Sequence, residues 1–261
     1  MSLPHFFVEE ISGGMVGASV SLHLDAETIL HMRTLRLRVG EHVVVADEPG
    51  HGWELELTST LQRHSTVVEG ILISECTENR EIDLTLVQGI SATDRMDQTI
   101  RQVTELGVTR IIPLESERSN VRLEGETRKA KKERWQRIAR SAAEQSGQLL
   151  FPQIEEPLGL VAAIALVRDL DGLLFFWEEP GGCSLTEALE KCDLFPKSTH
   201  FPSRIALFVG PEGGFSPAEA SLLENAGAYT VTLGTTILRT ETAAVVTCAL
   251  ALYHLGALGA R

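Results

Sequence analysis

The sequence predicts an α/β protein in two parts, a small β-barrel followed by a layered domain of alternating strands and helices. Up to about residue 76 the apolar residues come in short runs separated by turn signals, the pattern of an all-strand region. After Asn79 the rhythm becomes strand, helix, strand, as a parallel sheet covered by helices requires. Charge divides the chain further: Met1–Arg80 holds 5 basic and 12 acidic residues, Glu81–Leu150 12 and 11, and Phe151–Arg261 6 and 13. Its 261 residues suffice for two domains with proper cores, drawn from the sequence as 1–76 and 77–261.

In the first part, strands are expected at His5–Val8, Ser19–Leu24, His42–Ala46, Trp53–Thr58 and Val67–Ser74. Gly13-Gly14 and Pro49-Gly50 are read as turns and Ala26–Leu35 as a helix. The second part opens with a strand at Ile82–Gln88. A helix over Thr93–Leu106 follows, ended by Gly107, with Met96, Ile100 and Val103 on one stripe, then a strand at Arg110–Leu114. Trp135, Ile138, Ala139, Ala142 and Ala143 form the apolar stripe of a longer helix, which assigns Trp135 to the core and puts Arg134, Arg137 and Arg140 on the opposite face. Strands at Leu173–Trp177, Ile205–Val209 and Tyr229–Leu233 alternate with helices at Leu158–Val167, Ser184–Leu189 and Pro217–Ala226. The last helix, Thr242–Leu255, carries Val245, Val246, Ala249, Leu250, Leu252 and Tyr253 on more than one face. It wants burial on both sides, and a second copy of the chain in a two-fold dimer is the expected cover.

Composition excludes several classes of function. A net charge of -13 and a pI near 5.1 speak against a carpet of nonspecific nucleic-acid contacts, so any such site must be a local basic patch. One exists: nine Lys or Arg against three Glu between Arg118 and Arg140. A solvated, salt-bridged face is the usual reading of such a run, but its surplus in an acidic chain favours RNA contact. Cys76, Cys183, Cys192 and Cys248 have neither zinc-ribbon spacing nor disulfide-scaffold density and read as reduced thiols of a cytoplasmic protein. The eight histidines show no metal-binding pairing, and no metal is expected. No serine sits in a nucleophile elbow. Met1–Phe7 lacks the basic and apolar regions of a leader, and the small-residue-rich C-terminal stretch reads as a buried helix, not a membrane span.

Two glycine-bearing loops are where chemistry is expected. Ile205–Val209 runs into Gly210, Gly213 and Gly214, and a helix then opens with Ser216 as N-cap, Pro217 at N1 and Glu219 at N3. Glycines let backbone approach a ligand closely, yet the loop is neither a dinucleotide fingerprint nor a triphosphate loop. As a bare pattern it is equally a tight turn. Glu212 reads as a general base or as a carboxylate stabilised by the helix dipole. Thr232–Ala244 repeats the logic: a strand end, Gly234, a loop, and a helix whose first turn carries Glu241. Taken alone, Arg239 and Glu241 are a surface ion pair.

These loops belong to an ordered set. Thr104-Glu-Leu-Gly-Val-Thr-Arg-Ile-Ile-Pro-Leu114 with Ser116-Glu-Arg-Ser119, Arg134-Trp-Gln-Arg-Ile-Ala139 leading to Ala142-Ala-Glu-Gln-Ser-Gly147, Gly210-Pro-Glu-Gly-Gly-Phe215, and Leu233-Gly-Thr-Thr-Ile-Leu-Arg-Thr-Glu-Thr-Ala243 resemble the bacterial 16S ribosomal RNA uridine-N3 methyltransferases of the SPOUT superfamily. The motifs cover roughly residues 82–252. The strand region before them is similar to that family's PUA-like RNA-binding barrel, with Arg33, Leu35 and Arg36 in its Arg-x-x-Leu-Arg pattern. Gln148 and Thr236 stand where the family usually has Arg, and His5 where Arg is common.

The resemblance implies a SPOUT-type, trefoil-knotted α/β methyltransferase domain that binds S-adenosyl-L-methionine, behind a PUA-like barrel. The Gly210-Pro211-Glu212-Gly213 turn, Leu233, Gly234, Ile237 and Leu238 would line the cofactor site, and two subunits would pair through the knot. The expected reaction is methyl transfer to N3 of a uridine in 16S ribosomal RNA of the small subunit, near the decoding centre. N3 carries a proton at neutral pH, so the site must remove it or stabilise the anion. Arg118 and Arg239 are candidates for anion stabilisation or base positioning, since a guanidinium stays charged, and Glu212 and Glu241 are candidate proton acceptors. Arg33, Arg36, Arg134, Arg137 and Arg140 are candidate RNA contacts. A nonenzymatic ribosome-assembly RNA-binding module and a SPOUT enzyme with another RNA target are the alternatives at this point.

Overall fold

The computed structural model describes residues 3–11, 14–59, 66–179, 181–194 and 203–258; Met1 and Ser2 of the Met1–Phe7 segment, Gly13 of the expected Gly13-Gly14 turn, and His64 and His200 of the eight histidines lie outside these. The chain forms two compact units, Met1–Asn79 with Arg140–Phe151, and Arg80–Ala139 with Pro152–Arg261.

The first unit holds β1 (His5–Phe7), β2 (Ser19–His23), α1 (Ala26–Leu35), β3 (His42–Glu48), β4 (His51–Leu57) and β5 (Val67–Thr77). The strands form one mixed sheet in the order β1-β3-β4-β5-β2, in which only the β1–β3 pairing is parallel. Alternation along each strand sends Val20, Leu22, Val43, Val45, Leu55, Leu57, Val68 and Leu72 into one core with Phe6 and Trp53. Helix α1 begins where the Asp25 carboxylate accepts the Thr28 N–H at 2.7 Å and ends on Arg36, which is left-handed with φ 55. Ile29 and Met32 anchor α1 to the core.

Residues 140–151, which the sequence boundary leaves with the second part, pack in this unit. Ala143 and Leu149 join Phe7, Val44 and Ala46 in a small core of their own, with Phe151 edge-on to Phe7. The expected outward face of arginines is corrected at Arg140. Its Nη1 lies 2.8 Å from Asp25 Oδ2, its Nε 3.5 Å from Glu144 Oε1, and its Nη2 donates to the Phe7 carbonyl. The reason is Glu144, one turn on, whose side chain is only 5% exposed. A buried carboxylate needs paired charge, and Arg140 supplies it together with the Phe7 N–H and His31 Nδ1.

The second unit is a seven-stranded sheet with every pairing parallel. Its elements are β6 (Ile82–Gly89), α2 (Thr93–Leu106), β7 (Arg110–Glu115), α3 (Glu126–Ser146, as far as Ala139 in this unit), β8 (Gln153–Ile154), β9 (Leu158–Gly159), α4 (Leu160–Val167), β10 (Gly172–Phe176), α5 (Leu185–Lys191), β11 (Ser203–Val209), α6 (Pro217–Asn225), β12 (Tyr229–Val231) and α7 (Thr240–His254). Strand order is β12-β10-β11-β6-β7-β8, with β9 also on β7. The strands are apolar on both faces, as a doubly covered sheet requires. Leu84, Leu86, Leu174, Leu207 and Val209 pack with Met96, Ile100, Trp135 and Cys248 on one side, while Val87, Phe175, Ala206 and Phe208 pack with Leu160, Ala163 and Leu223 on the other. Leu158 and Gly159, expected as helix, pair with Leu114 and Glu115 instead, and α4 starts after them. No described helix is long and apolar enough to cross a membrane.

Candidate active site

In a parallel sheet, ligands bind beyond the carboxyl ends of the strands, and here the ends of β6, β10, β11 and β12 meet. Gly89, closing β6, lies against the start of the glycine loop after β11: a Cβ at Gly89 would stand 2.2 Å from Pro211 N and 2.6 Å from the Gly210 carbonyl carbon. Only glycine permits that approach. Beneath it, Gln88 Nε2 donates to Thr240 Oγ1 at 2.9 Å, and Thr240 Oγ1 donates to the Gly210 carbonyl at 2.6 Å. This buried chain ties β6, the β11 loop and the first turn of α7 together. Ser216 and Glu219 form the expected capping box of α6 with Pro217 behind it, which sets the exit of the loop.

Two adjoining cavities occupy this place, of about 170 and 410 Å³. The first is lined by the Val231–Leu238 loop with Phe176, Trp177, Glu178 and Ala243. Around the second stand Val209, Gly210, Pro211, Glu212, Gly214, Arg239, Thr240, Glu241 and Arg95. Phe176, Glu178, Ile237, Leu238 and Ala243 belong to both. Of the expected cofactor residues, the structure thus brings together Gly210, Glu212, Leu233, Gly234, Ile237 and Leu238. Gly213 lines neither cavity and packs on Arg118, whose Cβ a Gly213 Cβ would meet at 3.0 Å. Gly234 is in the left-handed region, φ +101, with open space where a Cβ would go, so the turn and not crowding is what demands glycine there. Sequence reasoning passed over Phe176, Trp177 and Glu178, which the strand-end rule alone could have flagged.

The candidate catalytic side chains differ sharply in their partners. Glu212 Oε1 is held by Arg95 Nη1 at 2.8 Å and by the Ala92 N–H at 3.3 Å. Arg118 Nη1 donates to the Gly213 carbonyl at 3.2 Å and stays outside the cavity lining. The turn that carries Arg118 is pinned from a distance: Glu219 Oε1 accepts the Glu117 N–H at 2.8 Å and its Oε2 the Ser116 hydroxyl at 3.1 Å. Glu219 therefore does more than cap its helix. Arg239 is exposed as N-cap of α7. Glu241, two residues further, has a buried Oε2 with no hydrogen-bond partner among the described residues. The expected Arg239–Glu241 ion pair does not form among the described residues. No cluster of three or more His, Cys, Asp or Glu among them could hold a metal ion.

Of the candidate RNA contacts, Arg33 and Arg36 line one cavity of about 190 Å³ in the first unit, with Met32, Leu37, Leu57, Ser59 and Val68. In the second unit Arg134 is exposed yet forked on Asp97, its Nε 3.1 Å and Nη2 2.5 Å from Oδ2. Arg137 is exposed.

A family model described as an RNA methyltransferase domain matches residues 78–252. The fold and the paired cavities define the class: an α/β RNA methyltransferase domain of the SPOUT type. Ribosomal RNA small subunit methyltransferase E of Bacillus subtilis is 28% identical over 247 residues, 92% of this chain and 93% of its own length. Its counterpart from Synechocystis is 31% identical over 219 residues, 83% of this chain and 67% of that one. The crystal structure of ribosomal RNA small subunit methyltransferase E from Neisseria gonorrhoeae, bound to S-adenosyl methionine, is similar with a TM-score of 0.81 and 32% identity over 99% of this chain and all of the other. The chain belongs to the ribosomal RNA small subunit methyltransferase E family.

Proposed function

We propose that this chain, by its family an S-adenosyl-L-methionine-dependent ribosomal RNA methyltransferase, methylates N3 of a uridine in 16S ribosomal RNA near the decoding centre. The observation that carries the reading is the convergence of the Gly210–Gly214 and Leu233–Arg239 loops on one pair of adjoining cavities. The residues fit the cofactor. Backbone of the Leu233–Leu238 loop with Phe176 and Ile237 offers an apolar slot with amide edges, and the volumes together suit a ligand of that size. Ile237, 81% exposed, is an apolar side chain waiting for a cover. The cofactor supplies an electrophilic methyl group on a sulfonium. Around the second cavity Arg239 stabilises negative charge on the uracil, Arg118 positions the Gly213 side of the loop, and Glu212 and Glu241 are the candidate proton acceptors.

RNA is bound through Arg33 and Arg36 on the PUA-like unit and through Arg137 with Arg134 on the methyltransferase unit; Arg140 acts from inside, by holding the first unit together. The loops are threaded as a trefoil knot, an exception to the usual rule of chain topology. Two copies pair through α7, which packs on α2, β6 and β11 and leaves Leu250 38% and Tyr253 63% exposed. The enzyme works in the cytoplasm, where small ribosomal subunits are assembled. The test is to incubate the chain with small subunits and methyl-labelled S-adenosylmethionine and to map the product nucleoside by mass spectrometry. N3-methyluridine in 16S ribosomal RNA is expected; label in another nucleoside, or none, overturns the reading.

A further inference from the structure

We infer that Glu178 sets the choice between the loaded and the spent cofactor: its carboxylate faces the sulfonium of S-adenosylmethionine, a charge that the demethylated product, S-adenosylhomocysteine, lacks. This rests on the cofactor placement proposed above, which gives Glu178 no role. Phe176, Glu178, Ile237, Leu238 and Ala243 line both cavities and so mark the passage between them. Glu178 is the one charged residue of the five. A methyl group carried by a cofactor in the first cavity and given to an acceptor in the second crosses this passage, so the sulfur that holds it stands there. Gly214 fixes where the carboxylate is: a Cβ at that glycine would lie 2.8 Å from Glu178 Oε1 and 3.4 Å from Oε2. Both oxygens therefore rest against the wall of the second cavity, which Gly214 lines.

The surroundings reserve this carboxylate for a cation. Arg95 and Arg239 bring positive charge to the second cavity, which opposes a sulfonium unless a carboxylate offsets it. Glu212 is taken by Arg95 at 2.8 Å. Glu241 lines the second cavity and not the first, and its Oε2 is shut away from solvent. Glu178 is exposed and has no hydrogen-bond or ion-pair partner among the described residues. The first cavity has no other charged group in its described lining, so nothing there competes for the carboxylate. Adenine, ribose and the amino-acid end are common to the loaded and spent cofactors, which differ by one methyl group and one charge. When the methyl has left, the sulfur is a neutral thioether and the attraction to Glu178 is gone. A carboxylate fixed at the passage therefore holds S-adenosylmethionine and lets the product leave.

The test is binding alone, without RNA: S-adenosylmethionine and S-adenosylhomocysteine are each titrated by calorimetry into wild type, Glu178→Gln, Glu178→Lys and Glu179→Gln. Glu179 is also exposed and lines neither cavity, so its variant measures the effect of net charge by itself. Glu178→Gln keeps the shape and removes the charge. It is expected to weaken S-adenosylmethionine by about 5-fold or more, the attraction of two unit charges about 4 Å apart in a wetted site, and to leave S-adenosylhomocysteine unchanged. Glu178→Lys should weaken S-adenosylmethionine further, and Glu179→Gln should alter neither. A ratio of the two affinities that stays at the wild-type value in Glu178→Gln overturns the inference, including the case in which both affinities fall together, which would put the carboxylate on the ribose hydroxyls or the ammonium that the ligands share. An equal change of the ratio in Glu179→Gln overturns it too. Should Glu178→Gln fail to fold, the ratio in Glu178→Lys decides in the same way. Gly89→Ala, which displaces the Gly210–Pro211 wall, reports on the placement separately. If it binds both ligands as wild type does, the cofactor placement fails and the inference with it; if it weakens both while Glu178→Gln keeps the wild-type ratio, only the role of Glu178 fails.

Discussion

Replacing Gly89 by Ala adds one methyl group at the most crowded point of the site. Its Cβ would lie 2.2 Å from Pro211 N and 2.6 Å from both the Gly210 carbonyl carbon and Pro211 Cδ. These are backbone and ring atoms, so no side chain can swing away. To restore the 3.4 Å of an ordinary contact from 2.2 Å, Pro211 must retreat by about 1.2 Å, and it must drag Gly210 off the Thr240 hydroxyl, to which it is bonded at 2.6 Å. Overpacking of this kind costs about 1–3 kcal/mol, or roughly 2–12 °C in Tm at about 2–4 °C per kcal/mol for a domain of this size. Because Gly210, Pro211 and Glu212 line the second cavity, the displacement also spoils the ligand site, where a shift of about 1 Å can cost on the order of 100-fold. Calorimetric titration of S-adenosylmethionine into Gly89→Ala, beside Gly107→Ala as a control, measures this. Gly107 has φ +95 and open space around its Cβ, so its substitution strains a helix end and should lower Tm without touching affinity. A folded Gly89→Ala protein that binds the cofactor like wild type would refute the argument that this approach shapes the site.

The arginines of α3 should separate into two kinds. Arg137→Ala should lower the slope of log RNA affinity against log salt by about 0.7–0.9, one phosphate contact, at unchanged Tm. Arg140→Ala should instead destabilise the first unit by roughly 1–3 kcal/mol, less than the about 3–5 of a fully buried pair, because it strips Glu144 and Asp25 of their common partner; thermal melts at several salt concentrations distinguish them. Acid should act through Asp25: burial would raise its carboxyl, but hydrogen bonds from Thr28 and the Arg140 guanidinium hold it below its ordinary 3.8. A folded-state pKa below the unfolded one gives stability that is present above 3.8 and is lost as pH falls through the folded value, so Asp25→Asn should show a smaller drop in Tm between neutral pH and pH 3 than wild type. Burial pushes the Cys248 thiol up to about 12 and Cys192 up to about 11. In the native protein at neutral pH, iodoacetamide mapped by mass spectrometry should leave Cys248 unlabelled until denaturant is added; early labelling there would contradict its burial against Leu84, Leu86 and Met96.

Much of the candidate site was legible in the sequence. The glycine loops carry it because the demands made on Gly210, Gly214 and Gly234 are local: a turn of two to four residues either can or cannot be made by other residue types. Missing were the side chains that reach the cavities from elsewhere. Glu178 follows a buried strand and has no motif of its own. Arg95 looks like any solvated charge on an amphipathic helix until Glu212 is found 2.8 Å away. Even the candidates that were named stood undivided, since nothing in a string of residues tells that Glu212 has a partner and that Glu241 Oε2 has none.

The sequence by itself determined the elements that depend on near neighbours. Helix α1 at Ala26–Leu35 and helix α2 at Thr93–Leu106 have the expected limits, because caps, stripes and a closing glycine act over a turn or two. The capping box of α6 was likewise written in four consecutive residues, and the doubly buried strands in their unbroken apolar runs. Tertiary structure decided the rest. Strands β8 and β9 are two residues each and exist only because β7 offers them partners, β8 at its start and β9 at its end. Arg134, Arg137 and Arg140 step about 60° apart around one helix, yet one is forked on Asp97, one is exposed and one is folded inward. A helical wheel gives the direction in which a side chain departs and not what it meets. The hydrogen bond from Gln88 to Thr240 spans 152 residues, and contacts at that separation depend on how the sheet is ordered, a property of the whole chain that no local pattern of residues contains.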